Sequence, residues 1–320
     1  SATNESPMKK YLLILLLAPL CSADEGTSLG SFHGYDACIA LSNQTTRVVL
    51  CPAVGGRVLE YALDGVHALP LPEGGRGGPA GRFDIGPELI IPKRPLLWSG
   101  VWTGEIIGPR QARLTSQPDP STGVQLIREF ELASSGSRLS CKQIIVNVSD
   151  HPVEYAHWSR TFAQGKGIVL IPLSAPSRFP NKYVMYERNG HAIEFKPEDP
   201  MIREREGFLE ILGAPKNPKL GFDSATGWFA YLSPNNLMFL KSYEVDPERV
   251  YNELAGLTIS IWYPDHLSVV ELEPIGPREK ILPAGRAWFT ETWHLAPFDF
   301  PGKQDTDLPR VRATAEALLK

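Results

Sequence analysis

Val153-Glu154-Tyr155-Ala156-His157-Trp158-Ser159-Arg160-Thr161-Phe162 is a run of aromatic, polar and β-branched residues with no helical spacing. Read as a strand, it places Tyr155, His157, Ser159 and Thr161 on one face and Ala156, Trp158, Arg160 and Phe162 on the other. A face of Tyr, His, Ser and Thr is poor core material. It offers donors, acceptors and one group that titrates near neutrality, so it is predicted to contact a ligand. A second reading stays open, in which His157 is a half-buried strand histidine satisfied by a neighbour.

The same grammar extends in both directions. From Tyr35 onward, short β-branched and aromatic runs such as Arg47-Val48-Val49-Leu50, Gln125 to Phe130 and Leu257 to Tyr263 alternate with Gly, Pro, Asn and Asp. The 29 prolines and 28 glycines interrupt helices and are tolerated at turns and strand edges, so the predicted class is all-β with mostly antiparallel strands. One exception is expected at the end. Leu308 to Leu319 reads as a short C-terminal helix with Asp307 as its cap and Pro309 in its first turn. Glu73 to Gly81, Pro176 to Asn181 and Lys196 to Arg205 are expected to be long surface loops.

A second strand-like segment is Val269-Val270-Glu271-Leu272-Glu273-Pro274-Ile275-Gly276-Pro277. Alternation puts Val270 and Leu272 on a buried face and Glu271 with Glu273 on the other. Two carboxylates sharing a cleft raise the pKa of one of them and make it fit for proton transfer. On a face turned to water they would be ordinary solubilising groups.

Leu272-Glu273-Pro274, followed by Ile281 to Gly285 and Trp288 to Leu295, resembles the closing strands of aldose 1-epimerases. The His157 run resembles that family's central strand, and Val48 to Leu63, with Gly55-Gly56-Arg57, its opening hairpin. Gly81 to Glu88, His157-Trp158-Ser159-Arg160 and Glu271 to Pro277 together resemble an uncharacterised secreted branch of the galactose mutarotase-like superfamily. The resemblance implies a β-supersandwich and a sugar or glycan as ligand. It further implies a mechanism in which Glu273 removes the anomeric hydroxyl proton while His157 protonates the ring oxygen. Arg57, Glu88, Tyr155, Arg160 and Glu271 are expected to hold hydroxyls, and Trp98 and Trp102 to stack on a sugar face. Aldose epimerases carry a second histidine on an early segment, whereas Ile91 to Glu105 here holds Lys93, Arg94 and Trp98. Two other functions fit the same fold: a glycan-binding protein without catalysis, and a polysaccharide lyase using Tyr155 with His157.

The amino end reads as an export signal. Met8-Lys9-Lys10 and the apolar run Tyr11 to Leu17 are its basic and hydrophobic parts, with cleavage after Ala23 or, as a second choice, lipidation at Cys21. Residues 1–7 are read as a scar or upstream extension, 24–34 as a linker, 35–300 as the β domain and 301–320 as a tail. Cys38 and Cys51 flank a turn-like stretch, so a hairpin would set them opposite each other, as a disulfide or as two small buried residues. The formal charge of −4 and the absence of long basic runs give no reason to expect nucleic acid as a partner. No closely spaced His/Cys motif calls for a metal, and no Gly-rich stretch has the strand-to-helix setting of a phosphate loop, so no cofactor is expected.

Overall fold

A computed structural model describes residues 26–72, 80–188, 190, 192–264, 266–302 and 304–320. The leader, its cleavage position and Cys21 lie outside the described residues, as does most of the Glu73–Gly81 loop. Among the described residues no helix is long and apolar enough to cross a membrane.

The alternating runs become strands of two antiparallel sheets, one of 12 strands and one of 10. In the first sheet five neighbours matter for the site: Gly81–Gly86, Val153–Gln164, Val269–Ile281, Ile259–Trp262 and Lys219–Phe222, side by side in that order. Each sends alternate residues inward against the second sheet. Phe83, Ile85, Val270, Leu272, Ile259, Ile261, Leu220 and Phe222 pack there with Phe130, Cys141, Ile145, Phe289 and Trp293 in one apolar core. The residues between them, Arg82, Asp84, Arg160, Glu271, Glu273, Trp262 and Lys219, therefore stand on the outer face of the first sheet. The paired carboxylates share a face, with Val270 and Leu272 buried opposite.

Residues 26–32, expected as linker, form the edge strand Gly26–Phe32 paired with Tyr35–Ser42. Its GTSLGSF sequence is half small and polar, with exposed positions on both faces, so nothing in its pattern marks it as a strand. The tail holds the helix Leu308–Leu318, capped by the Asp307 carboxylate, which accepts the Arg310 N–H at 3.0 Å. Leu308, Val311 and Ala315 seat it on Phe208, Leu240 and Leu170 of the second sheet. Ile39 pairs with Leu50, so Cys38 and Cys51 are cross-strand neighbours, and both are buried free thiols.

Candidate functional site

The outer face of the first sheet is occupied at its centre by a charge network built on Arg160. This guanidinium is 4 % exposed and meets three carboxylates at hydrogen-bond distance: Glu273 Oε1 at 2.8 Å, Asp84 Oδ2 at 3.1 Å and Glu88 Oε1 at 3.1 Å. Glu271 Oε2 lies 4.0 Å from the same Nη1 that binds Glu273. Strand register makes this possible, because Thr161 pairs with Leu272 and Phe162 with Glu271, which brings Arg160 beside Glu273. Asp84 also takes a bidentate fork from Arg94, at 2.6 Å through both oxygens. Glu88 is tied to Lys219 as well, and its backbone N–H donates to the Glu253 carboxylate at 2.9 Å.

Above this network opens a cleft of about 810 Å³, walled by Arg82, Glu88, Trp98, Arg160, Lys219 and Glu271, with Tyr186, Trp262 and His266 around them. That volume is within the range of small-molecule sites, about 300–1,000 Å³. Burial would raise the Glu88 carboxyl, but Arg160 and Lys219 outweigh it and pull it down to about 2. Glu271 goes the other way. Burial and the neighbouring Glu273 charge push its carboxyl well above the usual range, which favours its protonated form. Burial, followed by the charge of Arg57, lowers Arg82 to about 10, which leaves it a cation. Its guanidinium lies 4.4 Å from the Trp98 ring centroid, and that of Arg160 lies 5.6 Å away.

Trp98 is held there by backbone geometry. It ends the one-turn helix Pro95–Trp98, which is anchored by buried Leu97. The Gly55 N–H donates to Gly100 O at 2.8 Å, and the Trp102 N–H to Pro52 O at 2.9 Å. Gly55 has φ of +67°, and a Cβ there would stand 2.3 Å from the Trp98 carbonyl oxygen. At Gly56 a Cβ would stand 2.4 Å from the Trp102 ring. The Gly55-Gly56 pair is thus required by close approach of the tryptophan segment.

The expected residues divide between two sides of the sheet. Glu88, Trp98, Arg160 and Glu271 border the cleft, and Glu273 lies directly beneath, fully buried, with Oε2 unpartnered. His157 does not join them. It is fully buried on the inner face, its ring stacked between Phe83 and Phe289 at centroid distances of 5.7 and 5.9 Å, with Nε2 donating to Ala287 O at 3.3 Å. Burial drives it down to about 3, so it is neutral at physiological pH and has no imidazolium proton to give. The pairing of His157 with Glu273 across one sugar ring is not made.

Tyr155 turns the same way and donates its hydroxyl to Thr122 O at 2.8 Å. This removes the Tyr155–His157 couple on which a lyase mechanism would rest. Trp102 is a core residue at 2 % exposure, and Arg57 is buried near Tyr35 and Cys51, outside the cleft lining.

Alternation groups the two faces of the Val153–Gln164 strand as the structure has them, but the polar face expected to contact a ligand is the buried inner one, and the other borders the cleft. The polar inner face is used by the second sheet. Buried Lys241 donates to Thr161 Oγ1 at 2.8 Å and Ser159 Oγ at 3.2 Å and lies 3.1 Å from Glu291, whose other oxygen accepts from Ser159 at 2.5 Å. The partners that make this face good core come from residues far away in the chain.

Arg82, Lys219, Tyr186, Trp262 and His266 were missed. Arg82 and Asp84 alternating with Phe83 and Ile85 was a legible signal of a strand with one charged face. Lys219 and Trp262 meet only through strand register, which no local pattern announces.

No protein-family model matches the chain, and no curated relative does. Solved structures do resemble it. A galactose mutarotase-like protein from Lactobacillus casei superposes with a TM-score of 0.58 at 11 % identity, covering 81 % of this chain and all (100 %) of that one. A putative aldose 1-epimerase from Escherichia coli gives 0.57 at 9 % identity, covering 85 % and 100 %. A putative mutarotase from Salmonella typhimurium gives 0.52 at 10 %, covering 85 % and 94 %. The chain has the galactose mutarotase-like fold.

Proposed function

We propose that the cleft binds a sugar and exchanges its anomers by proton transfer, with Glu271 as the catalytic carboxyl. The observation that carries this reading is the placement of Glu271. It borders the cleft, is only 2 % exposed, and sits two residues from Glu273 on the same face.

Anomer exchange requires a proton to leave the anomeric hydroxyl and another to reach the ring oxygen. A neutral carboxyl can do both at once: its carbonyl oxygen accepts the hydroxyl proton while its O–H gives its own proton to the ring oxygen. The ring C–O bond breaks, the open-chain aldehyde forms, and reclosure on the other face reverses the transfers. The carboxyl ends each passage with one proton, as it began.

Burial, with the charge of the Arg160-bound Glu273 beside it, raises the Glu271 carboxyl and favours its protonated form. The acid role expected of His157 thus passes to a carboxyl on the outer face. Arg82, Glu88 and Lys219 offer charged donors and acceptors for hydroxyls, and Trp98 and Trp262 offer ring faces.

The test is line-shape or saturation-transfer NMR of anomer exchange over a panel of reducing sugars. Glu271→Gln is expected to lower the rate by about 10² or more while the protein stays folded. Binding of a sugar with no acceleration of exchange by the wild type would overturn the catalytic reading in favour of a glycan-binding protein.

A further inference from the structure

Beside the main cleft lies a second cavity of about 370 Å³, which shares Glu88, Trp98 and Arg160 with it and adds Lys93, Pro95 and Ser99. The two compartments meet at Trp98. We infer that they are subsites of one groove, and that the sugar recognised is a reducing oligosaccharide of at least two rings. This rests on the sugar-binding reading of the cleft.

The main compartment near the upper end of the small-molecule range is larger than a single hexose fills, and the second adds to it. Trp98 is suited to the boundary. Its position is clamped through the Gly55 and Trp102 backbone contacts, so a ring stacking on it meets a preorganised surface. The indole is half-buried, with the Arg82 and Arg160 cations near its ring. Sugar rings present apolar C–H faces to such a surface and keep their hydroxyls for the rim.

The rim of the small compartment fits that division. Lys93 is exposed and makes no ion pair among the described residues, and Ser99 is exposed with its hydroxyl at the surface. Arg94 is already committed to Asp84 by two bonds and holds the wall in place.

Direction follows from chemistry. Only the reducing-end ring has a free anomeric hydroxyl, and Glu271, the proposed catalytic carboxyl, borders the large compartment and not the small one. The reducing-end ring therefore belongs in the large compartment, and the next ring crosses Trp98 toward Lys93.

Titration calorimetry on the full chain would compare glucose with maltose, cellobiose and gentiobiose, and galactose with disaccharides ending in galactose. At least one disaccharide is expected to bind tenfold or more tightly than the monosaccharide at its reducing end. Trp98→Ala and Lys93→Ala, each checked for an unchanged melting temperature, should weaken that disaccharide more than the monosaccharide and close most of the gap; Trp98→Phe should keep most of it.

Equal affinity for one and two rings, or equal loss of both in Trp98→Ala and Lys93→Ala, would overturn the inference. If Trp98→Ala does not fold, the length series and Lys93→Ala decide alone. Length-dependent binding without anomer exchange would sink the catalytic reading and leave this one standing; exchange without length dependence would do the reverse. No binding by any member of the panel would remove both.

Discussion

The Val153–Gln164 strand carries a buried charge network on each face, and the two differ in what they border. Inside, Lys241 and Glu291 are enclosed with Ser159, Thr161 and Gln143, all at zero exposure. Lys241 meets Glu291 and the hydroxyls of Ser159 and Thr161, and the buried Arg128 guanidinium adds a second positive charge that acts on Glu291. Outside, one Arg160 serves Glu273, Asp84 and Glu88, with Glu271 within 4.0 Å, and a cleft opens over them. The inner network is closed to solvent. The outer one also draws on Arg94 at Asp84 and Lys219 at Glu88, and burial beside the Glu273 charge pushes the Glu271 carboxyl well above the usual range. Clustering of charged residues alone does not mark a site; a cluster that borders an opening and holds a strongly shifted carboxyl is the better candidate.

The largest expected effect falls on the inner face. Lys241→Met leaves Glu291 buried without its cation and should destabilise the fold by about 3–5 kcal/mol, read as a lower urea midpoint at unchanged slope. A loss below about 1 kcal/mol would mean the inner network is no more than a surface-like pair, and the contrast between faces would collapse.

Next comes Glu271→Gln, with its loss of anomer exchange by about 10² or more at nearly constant stability. Activity should also fall as pH rises through the raised pKa of Glu271, because the carboxyl must carry a proton to act. A rate that increases with pH through that range would mean the group works as a carboxylate base instead.

His157 gives an intermediate effect, visible in stability and not in turnover. Its folded pKa of about 3 lies below the unfolded value, near about 6.5. The unfolded chain therefore binds the proton first, and this part of the stability is present above about 6.5 and is lost as pH falls toward 3. His157→Gln should flatten the acid limb of the stability curve while exchange by the folded fraction continues. Abolished exchange in a folded variant would return His157 to the mechanism.

The smallest effect is local. Lys219→Met removes one of the two cations on Glu88, whose carboxyl should rise from about 2 toward the ordinary value near about 4.3. Carbon-detected NMR titration of the Glu88 carboxyl would follow it. An unmoved titration would show that Arg160 alone sets that charge.

Much of the fold was legible because turn chemistry and alternation are local. The C-terminal helix was readable from Asp307 and Pro309, and the hairpin carrying Cys38 and Cys51 from the polar turn between them. The edge strand Gly26–Phe32 was not, since an edge needs only backbone pairing and its side chains record little. For the site, Glu271 with Glu273 was visible as a carboxylate pair at strand spacing, and Glu88, Trp98 and Arg160 were named among the cleft groups. His157 misled because an imidazole among hydroxyls looks functional on any one strand.

The sequence by itself determined which residues share a face, since the two-residue period of a strand is a property of the local backbone. Which face borders a cleft was decided only by the tertiary structure. Lys241, Glu291 and Phe289 come from the second sheet to fill one side, while Asp84, Glu88 and Lys219 gather on the other beneath an opening. Burial of a strand face depends on what packs against it, and those partners are fixed by strand order across the whole chain.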